Sequence, residues 1–188
     1  MPGRVRESNF SMKYFDEIKR AMTWLGQQPD TFFLGQAVQY TGTAMTNTLK
    51  DVPPDKLWEM PVCEDMQMGM SIGIALDGKT VPISIFPRWN FLLLATNQIV
   101  NHLDKIELMA ANPYHPKVII RVGIGSERPL HPQHQHVGDY TNAFRLMCPN
   151  INVIRLDNTE NIFDNYVSAY KNNKSSIIVE WGDYYNEK

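Results

Sequence analysis

The sequence has few of the features that mark secreted, membrane or nucleic-acid-binding proteins. Two cysteines, Cys63 and Cys148, are too few for a disulfide framework, and their apolar neighbours predict buried thiols in a reducing compartment. The formal net charge of −2 gives no electrostatic support for nucleic-acid binding. No apolar run is long enough to cross a bilayer, and residues 1–7 lack the apolar core of a signal peptide. We therefore expect a cytoplasmic globular protein.

Phosphate-binding motifs are also missing. The chain has no P-loop and no G-x-G-x-x-G fingerprint. Its two Gly-Asp pairs, at Gly138 and Gly182, are each followed by tyrosine rather than by a second glycine. A flavodoxin-like or nucleotide-binding domain would match the order of elements described next, but it would have no loop for a phosphate.

Segments typical of strands alternate with segments typical of helices over residues 11–188, after a polar N-terminus (1–10) that we expect to be flexible. At 188 residues the chain is long enough for one domain with a full core. The predicted strands are 31–35, 58–63, 81–86, 117–122, 152–156 and 176–181. The predicted helices are 11–26, 43–50, 65–77, 90–111, 139–147 and 159–172. This alternation predicts an α/β fold, with a mainly parallel six-stranded sheet and helices on both faces.

Glu64 stands where a predicted strand passes into a helix, the place where α/β sheets present functional groups. The helix that follows carries small residues at Gly69, Ser71, Gly73 and Ala75, which let another backbone approach closely. An acid at a helix start can also be a solvated residue that the helix dipole favours, and the position alone does not decide between the two.

Two other groups of residues are candidates for binding or catalysis. Trp89 and Phe91 lie two apart at a turn after Arg88. The aromatics are either core residues or a stacking surface, and the arginine either binds an acid or is solvated. Three histidines follow within six residues of one loop, namely His131, His134 and His136. Their spacing allows a metal site, an active-site loop or solvated side chains, and we favour the active-site loop because no nearby Cys, Asp or Glu completes a ligand set.

Six segments, in order and at near-identical spacing, resemble motifs of the beta subunit of thiamine-diphosphate-dependent 2-oxo acid dehydrogenases, and more broadly the pyrimidine-binding domain of transketolase-like enzymes. The segments are residues 32–38, 61–76, 81–86, 89–101, 118–122 and 148–153. His134 follows Arg121 at the distance of the family's "H-S-Q" histidine. Departures include Gln36, where the family has an acid, and Cys63, where it has serine.

The resemblance implies a site for the pyrimidine end of thiamine diphosphate. Glu64 would exchange a proton with the far nitrogen of the aminopyrimidine ring, a task favoured by a dry apolar pocket. Phe91 would stack on the ring beside Trp89. His134, and next to it His136, would act on the substrate. Substrate contacts would come from Arg88, Gln133 and His131.

The resemblance also implies a partner. An alpha-like subunit would bind the diphosphate and its Mg²⁺, in an α₂β₂ heterotetramer that decarboxylates a 2-oxo acid or transfers a ketol. The family's C-terminal domain is missing from the sequence, which leads us to expect a decarboxylase or carboligase. The alternative is a regulatory or scaffolding relative that no longer turns over.

Overall fold

Six parallel strands form the centre of the molecule. The structure is a computed structural model, and it describes residues 13–110, 116–125 and 131–186. The strands are β1 (Thr31–Gly35), β2 (Leu57–Glu59), β3 (Val81–Phe86), β4 (Ile119–Ile124), β5 (Asn152–Arg155) and β6 (Ser176–Trp181). They lie in the order β2-β1-β3-β4-β6-β5, and all five neighbouring pairs are parallel.

Helices cover both faces of this sheet. They are α1 (Tyr14–Gly26), α2 (Ala44–Asn47), α3 (Glu64–Ala75), α4 (Trp89–Leu92), α5 (Ile106–Met109), α6 (Thr141–Met147) and α7 (Ile162–Lys171). Short 3₁₀ turns lie at Pro54–Lys56, Leu93–Ala95, His134–His136, Thr159–Asn161 and Gly182–Asn186. One apolar core packs α1 and α7 against the sheet, and a second packs α3, α4 and α6 against the other face. The predicted fold class is therefore confirmed.

The central strands match their predicted positions closely. β3 and β4 are buried along their whole length, because a parallel sheet covered on both faces excludes water from every position. A continuous apolar run is the expected result. β4 lies two residues later than predicted, so the loop expected to begin at residue 123 starts after Ile124.

The second strand is shorter than predicted. It was expected over 58–63, but it ends at Glu59, and α3 begins at Glu64. The last hydrogen bond toward β1 runs from the Met60 N–H to the Gly35 carbonyl, at 2.8 Å. Pro61, directly after this bond, is a residue type found at the ends and open edges of sheets, and the chain leaves the sheet there.

The long helix expected over 90–111 is broken, and residue 111 lies outside the described part of the chain. After α4 the chain passes through the 3₁₀ turn into a π-helix at Gln98–Leu103 and then α5. The widened turn closes with the Asp104 N–H bonded to the Ile99 carbonyl. The Asp104 carboxylate accepts from the Asn150 backbone N–H at 2.8 Å, a tertiary contact that holds the chain where the helix widens.

The expected N-terminal flexible segment also lies outside the described residues, and α1 is described from Tyr14 onward. Within the part of the chain that the structure describes, no helix has the length and apolar character needed to cross a membrane.

Candidate functional site

Four adjacent strands bring the candidate residues to one edge of the sheet. Because β2, β1, β3 and β4 are parallel neighbours, their carboxyl ends meet at the same edge. Gln36 follows β1, Glu64 follows β2, Phe91 follows β3, and the histidine segment follows β4. The edge is thus the place where the predicted site residues gather.

Glu64 is the first residue of α3 and is only 4% exposed. The side-chain amide of Gln36 donates to its Oε1 at 3.0 Å. Among the described residues this is the one hydrogen bond that the carboxylate accepts, and no cationic side chain pairs with it. A buried carboxylate normally needs more partners than this. The position fits a group that receives its remaining partner from a ligand.

The start of α3 is held tightly against β3. The Gln67 amide donates to the Ile85 carbonyl at 2.9 Å and to the Ser84 hydroxyl at 3.1 Å. At Gly35, with φ +144°, a Cβ would lie 2.2 Å from the Ile85 oxygen and 2.7 Å from the Gln67 amide nitrogen. Only glycine allows this close approach. The helix that presents Glu64 therefore has a fixed position on the sheet.

Glu59 is a residue of this site that sequence reasoning missed. Its carboxylate accepts four backbone N–H groups from the segment after β1, those of residues 37 to 40, at 2.6–3.3 Å. The sequence holds only a weak signal for it, an acidic residue in an otherwise apolar predicted strand. The prediction placed it within strand 58–63, where its role in the loop could not be recognised.

The two aromatic residues have different environments. Trp89 is 1% exposed and packs on Phe144 and Tyr140, with ring centroids 4.9 and 6.4 Å away. Trp89 is therefore a core residue. A role in lining a cofactor site would need an exposed ring face, and this side chain is almost fully buried. Phe91 is half-buried, and its ring centroid lies 5.7 Å from that of His136. Of these two aromatic residues, Phe91 is thus the one that remains partly accessible at this edge.

The structure brings one of the three histidines against Phe91. His136 is half-buried, and its Nδ1 is buried without a hydrogen-bond partner in the described chain. A side chain at Gly125 would place its Cβ 1.7 Å from the His136 carbonyl oxygen, so this close approach to the end of β4 requires glycine. His134 is exposed, and its role remains a prediction.

The predicted substrate contacts lie around this edge. Arg88 is half-buried beside α4, partial burial lowers the pKa of its guanidinium, and no carboxylate among the described residues pairs with it. His131 and Gln133 are exposed, and the Gln133 N–H bonds to the Nδ1 of His131 at 3.0 Å. Their roles toward a substrate stay predictions.

The cysteines do not share one environment. Cys148 is buried as expected, and burial, followed by the nearby Asp104 charge, raises the pKa of its thiol to about 12. Cys63 is exposed, which corrects the expectation of two buried thiols. It lies in the turn between the end of β2 and the start of α3. No cluster of three or more potential metal ligands occurs in the described ranges.

The sequence matches the family described as "Transketolase, pyrimidine binding domain" over residues 11–185. The chain belongs to this family. The match covers all six strands of the sheet and the whole candidate site.

Curated relatives are beta subunits of pyruvate dehydrogenase. The mitochondrial pyruvate dehydrogenase E1 component subunit beta of Ascaris suum is 29% identical over 142 residues, which are 74% of this chain and 36% of that protein. The corresponding subunit of Gracilaria tenuistipitata var. liui is 28% identical over 179 residues, 93% of this chain and 54% of that protein. The chain thus spans from about a third to about half of the length of these relatives.

A solved structure described as "Split gene transketolase, inactive beta4 tetramer" has the same fold. Its TM-score is 0.69 at 17% sequence identity, over 90% of this chain and 51% of that one. At this identity the likeness supports the fold alone.

Proposed function

We propose that the chain is the pyrimidine-binding subunit of a two-subunit thiamine-diphosphate-dependent enzyme that acts on a 2-oxo acid or a ketose. The observation that carries the proposal is Glu64, a buried carboxylate with a single hydrogen bond among the described residues. Family membership supports the proposal, since Glu64 lies at a strand-to-helix turn within the matched residues.

The residues at this edge fit the pyrimidine end of the cofactor. Glu64 would offer a buried carboxyl group to a ring nitrogen, and Phe91 a half-buried aromatic ring on the same edge of the sheet. When bound, thiamine diphosphate supplies a carbon nucleophile for a substrate carbonyl. Arg88 would attract an acidic substrate, because a half-buried guanidinium binds carboxylates well.

The chain's own contribution to the chemistry is proton transfer and orientation. Glu64 would hold or release one proton at its carboxyl group toward the ring nitrogen. Phe91 would fix the plane of the ring. His136 lies against Phe91 and has a buried nitrogen without a partner in the described chain. It, or His134 in the same 3₁₀ turn, would donate to a developing oxyanion of the substrate.

A partner of the alpha type would complete the site by binding the diphosphate and Mg²⁺, and we propose an α₂β₂ assembly. The surface next to Glu64 supports a partner, since Val62 is 77% exposed and Met66 40% exposed. Gly69 and Gly73 on α3 have open space in front of them. Apolar and small residues exposed together are typical of surfaces that another chain covers. Decarboxylation with carboligation, and a cytoplasmic location, remain predictions.

The test compares two neighbouring acids. Glu64→Gln keeps the size of the side chain but cannot exchange the proton, so we expect turnover with the alpha-type partner to fall at least ~100-fold, the scale of lost acid–base catalysis. Asp65→Asn is the matched control, because Asp65 is exposed on the same helix and should leave turnover unchanged. Thiamine-diphosphate-dependent consumption of 2-oxo acids and ketoses measures both.

Full activity in the Glu64→Gln enzyme would refute the proposed role of this residue. If the wild-type pair forms and consumes no 2-oxo acid or ketose, the scaffolding alternative is favoured instead.

A further inference from the structure

We propose that Gln36 is a positioning residue that orients the Glu64 carboxylate, and that Glu59 acts one step behind it by fixing the segment that carries Gln36. The inference rests on the proposed function for one point only, the role of Glu64 as the acid that exchanges a proton with the cofactor. Its structural part concerns three side chains of this chain alone.

The first step is the contact between the two buried side chains. Gln36 is 7% exposed and Glu64 4% exposed, and the amide nitrogen lies 3.0 Å from Oε1. An amide N–H that donates to a carboxylate fixes which oxygen faces the strand. The second oxygen, Oε2, accepts no hydrogen bond from the described residues, so it is the oxygen left for a ligand.

The second step is the position of Gln36 itself. Its backbone N–H donates to the Ile85 carbonyl at 3.2 Å, which ties the residue to β3 directly after β1 ends. The preceding Gly35 approaches the same carbonyl so closely that no side chain fits. The backbone on the N-terminal side of Gln36 is thereby held.

The third step is the Glu59 carboxylate on the C-terminal side. It binds the backbone N–H groups of Val38 at 2.7 Å and Gln39 at 2.6 Å, and also those of Ala37 and Tyr40. Ala37 has φ +58°, a conformation that costs free energy for a residue with a Cβ and needs surrounding contacts to hold it. Hydrogen bonds from N–H groups to a carboxylate are strong enough to do so.

These steps form one chain of contacts from an edge strand to the candidate catalytic acid. Glu59 fixes the turn, the turn fixes Gln36, and Gln36 orients Glu64. Because Gln36 is the single donor to Glu64 among the described residues, removing it should free the carboxylate to take other rotamers.

The first experiment uses Gln36→Met, which keeps the length of the side chain and removes the donor. Gln39→Met is the matched control, since Gln39 lies on the same turn, is exposed and donates to the Leu57 carbonyl instead. Crystal structures of both variants of the full chain should show Glu64 displaced in the first and unmoved in the second. With the partner subunit, Gln36→Met should lower kcat about 10-fold to 100-fold, with KM changed little, because only the orientation of the acid is lost.

If Gln36→Met does not fold, Gln36→Asn replaces it. The asparagine side chain is one methylene shorter, so its amide does not reach the Glu64 carboxylate. A Glu64 carboxylate that keeps its position in these variants would overturn the proposal. So would a loss of kcat no larger than that of Gln39→Met.

The second experiment tests the Glu59 step by amide hydrogen exchange in the full chain. Glu59→Gln removes the charge, so the Val38 and Gln39 amides should exchange at least several-fold faster. The amides of Lys79 and Thr80, which bond to Asp77, serve as internal references and should not change. Unchanged protection at Val38 and Gln39 would remove Glu59 from the proposal.

These structural readouts need neither cofactor nor partner. If Glu64 moves as expected but no pairing shows thiamine-diphosphate-dependent turnover, the proposed function fails and the positioning contact stands. If turnover is present and Glu64 does not move, the positioning proposal fails alone.

Discussion

His136 is the histidine whose ring touches Phe91, although the family spacing points to His134. The ring of His136 lies on the aromatic residue at a centroid distance of 5.7 Å, and its Nδ1 is buried without a partner in the described chain. His134, two residues earlier in the same 3₁₀ turn, is exposed. Both follow Gln133, whose φ of 67° is unusual for a residue with a side chain. Such backbone conformations cluster at functional sites.

Alanine substitution separates the three histidines. We expect His136→Ala to lower kcat about tenfold by removing the ring contact with Phe91 and a donor to the substrate. His134→Ala should also lower kcat if the family spacing holds. His131→Ala should have little effect, since its ring already accepts from the Gln133 N–H. Steady-state kinetics with the partner subunit, at varied cofactor concentration, distinguishes turnover from affinity.

Two outcomes would contradict this expectation. Negligible losses in all three variants would indicate solvated loop histidines. Equal losses that added metal reverses would indicate a metal site.

At the scale of elements, a buried ion pair joins β4 to β6. Arg121 donates through Nε and Nη2 to the two oxygens of Glu180, at 2.6 and 2.9 Å, and both side chains are fully buried. Tyr166 of α7 and Tyr185 near the C-terminus also donate to Glu180. Burial and then the Glu180 charge raise the pKa of Tyr166 well above its usual value. The network therefore anchors α7 and the 3₁₀ turn at Gly182–Asn186 to the sheet.

Breaking this pair should be costly. Arg121→Met leaves the Glu180 carboxylate buried without its cation, and we expect the free energy of unfolding to fall by about 3–5 kcal/mol. Lys19→Met removes the exposed pair with Asp51 and should cost at most about 1 kcal/mol. Urea unfolding followed by circular dichroism measures both. Similar losses in the two variants would show that Glu180 finds other partners, such as the tyrosines.

At the scale of the whole molecule, the candidate site lies on an edge and holds groups for one end of a ligand. As proposed, Glu64 and Phe91 would contact the pyrimidine end, and His136 would donate to the substrate. The sequence has no phosphate-binding loop, and neither of its Gly-Asp pairs is followed by a second glycine. Charge-assisted contacts to phosphates supply much of the affinity for such ligands.

We therefore expect the chain alone to bind thiamine diphosphate weakly, and its complex with an alpha-type partner to bind tightly in the presence of Mg²⁺. Isothermal titration calorimetry of the chain, the partner and the complex measures this difference. Tight, Mg²⁺-dependent binding by the chain alone would contradict a divided site. The Glu64→Gln complex is the control for binding at the pyrimidine end.

The sequence by itself determined the fold class and the edge of the sheet at which the candidate residues lie. The predicted bounds of β1, β3 and β6 agree with the structure, because buried parallel strands are short, mainly apolar runs bounded by turn residues. The position of Glu64 at a strand-to-helix turn could be predicted, because such a turn is set by the order of the elements. The order of the elements and the resemblance to the family can both be read from segments of the sequence.

Only the tertiary structure decided which neighbouring residues face the core and which face the site. Trp89 and Phe91 are equally apolar in sequence, yet the packing of Trp89 on Phe144 buries it and leaves Phe91 half-open. Glu59 acts through N–H groups some twenty residues earlier in the chain, a partnership that exists because β2 lies beside β1. Such roles depend on contacts between distant segments, and local periodicity carries no information about them.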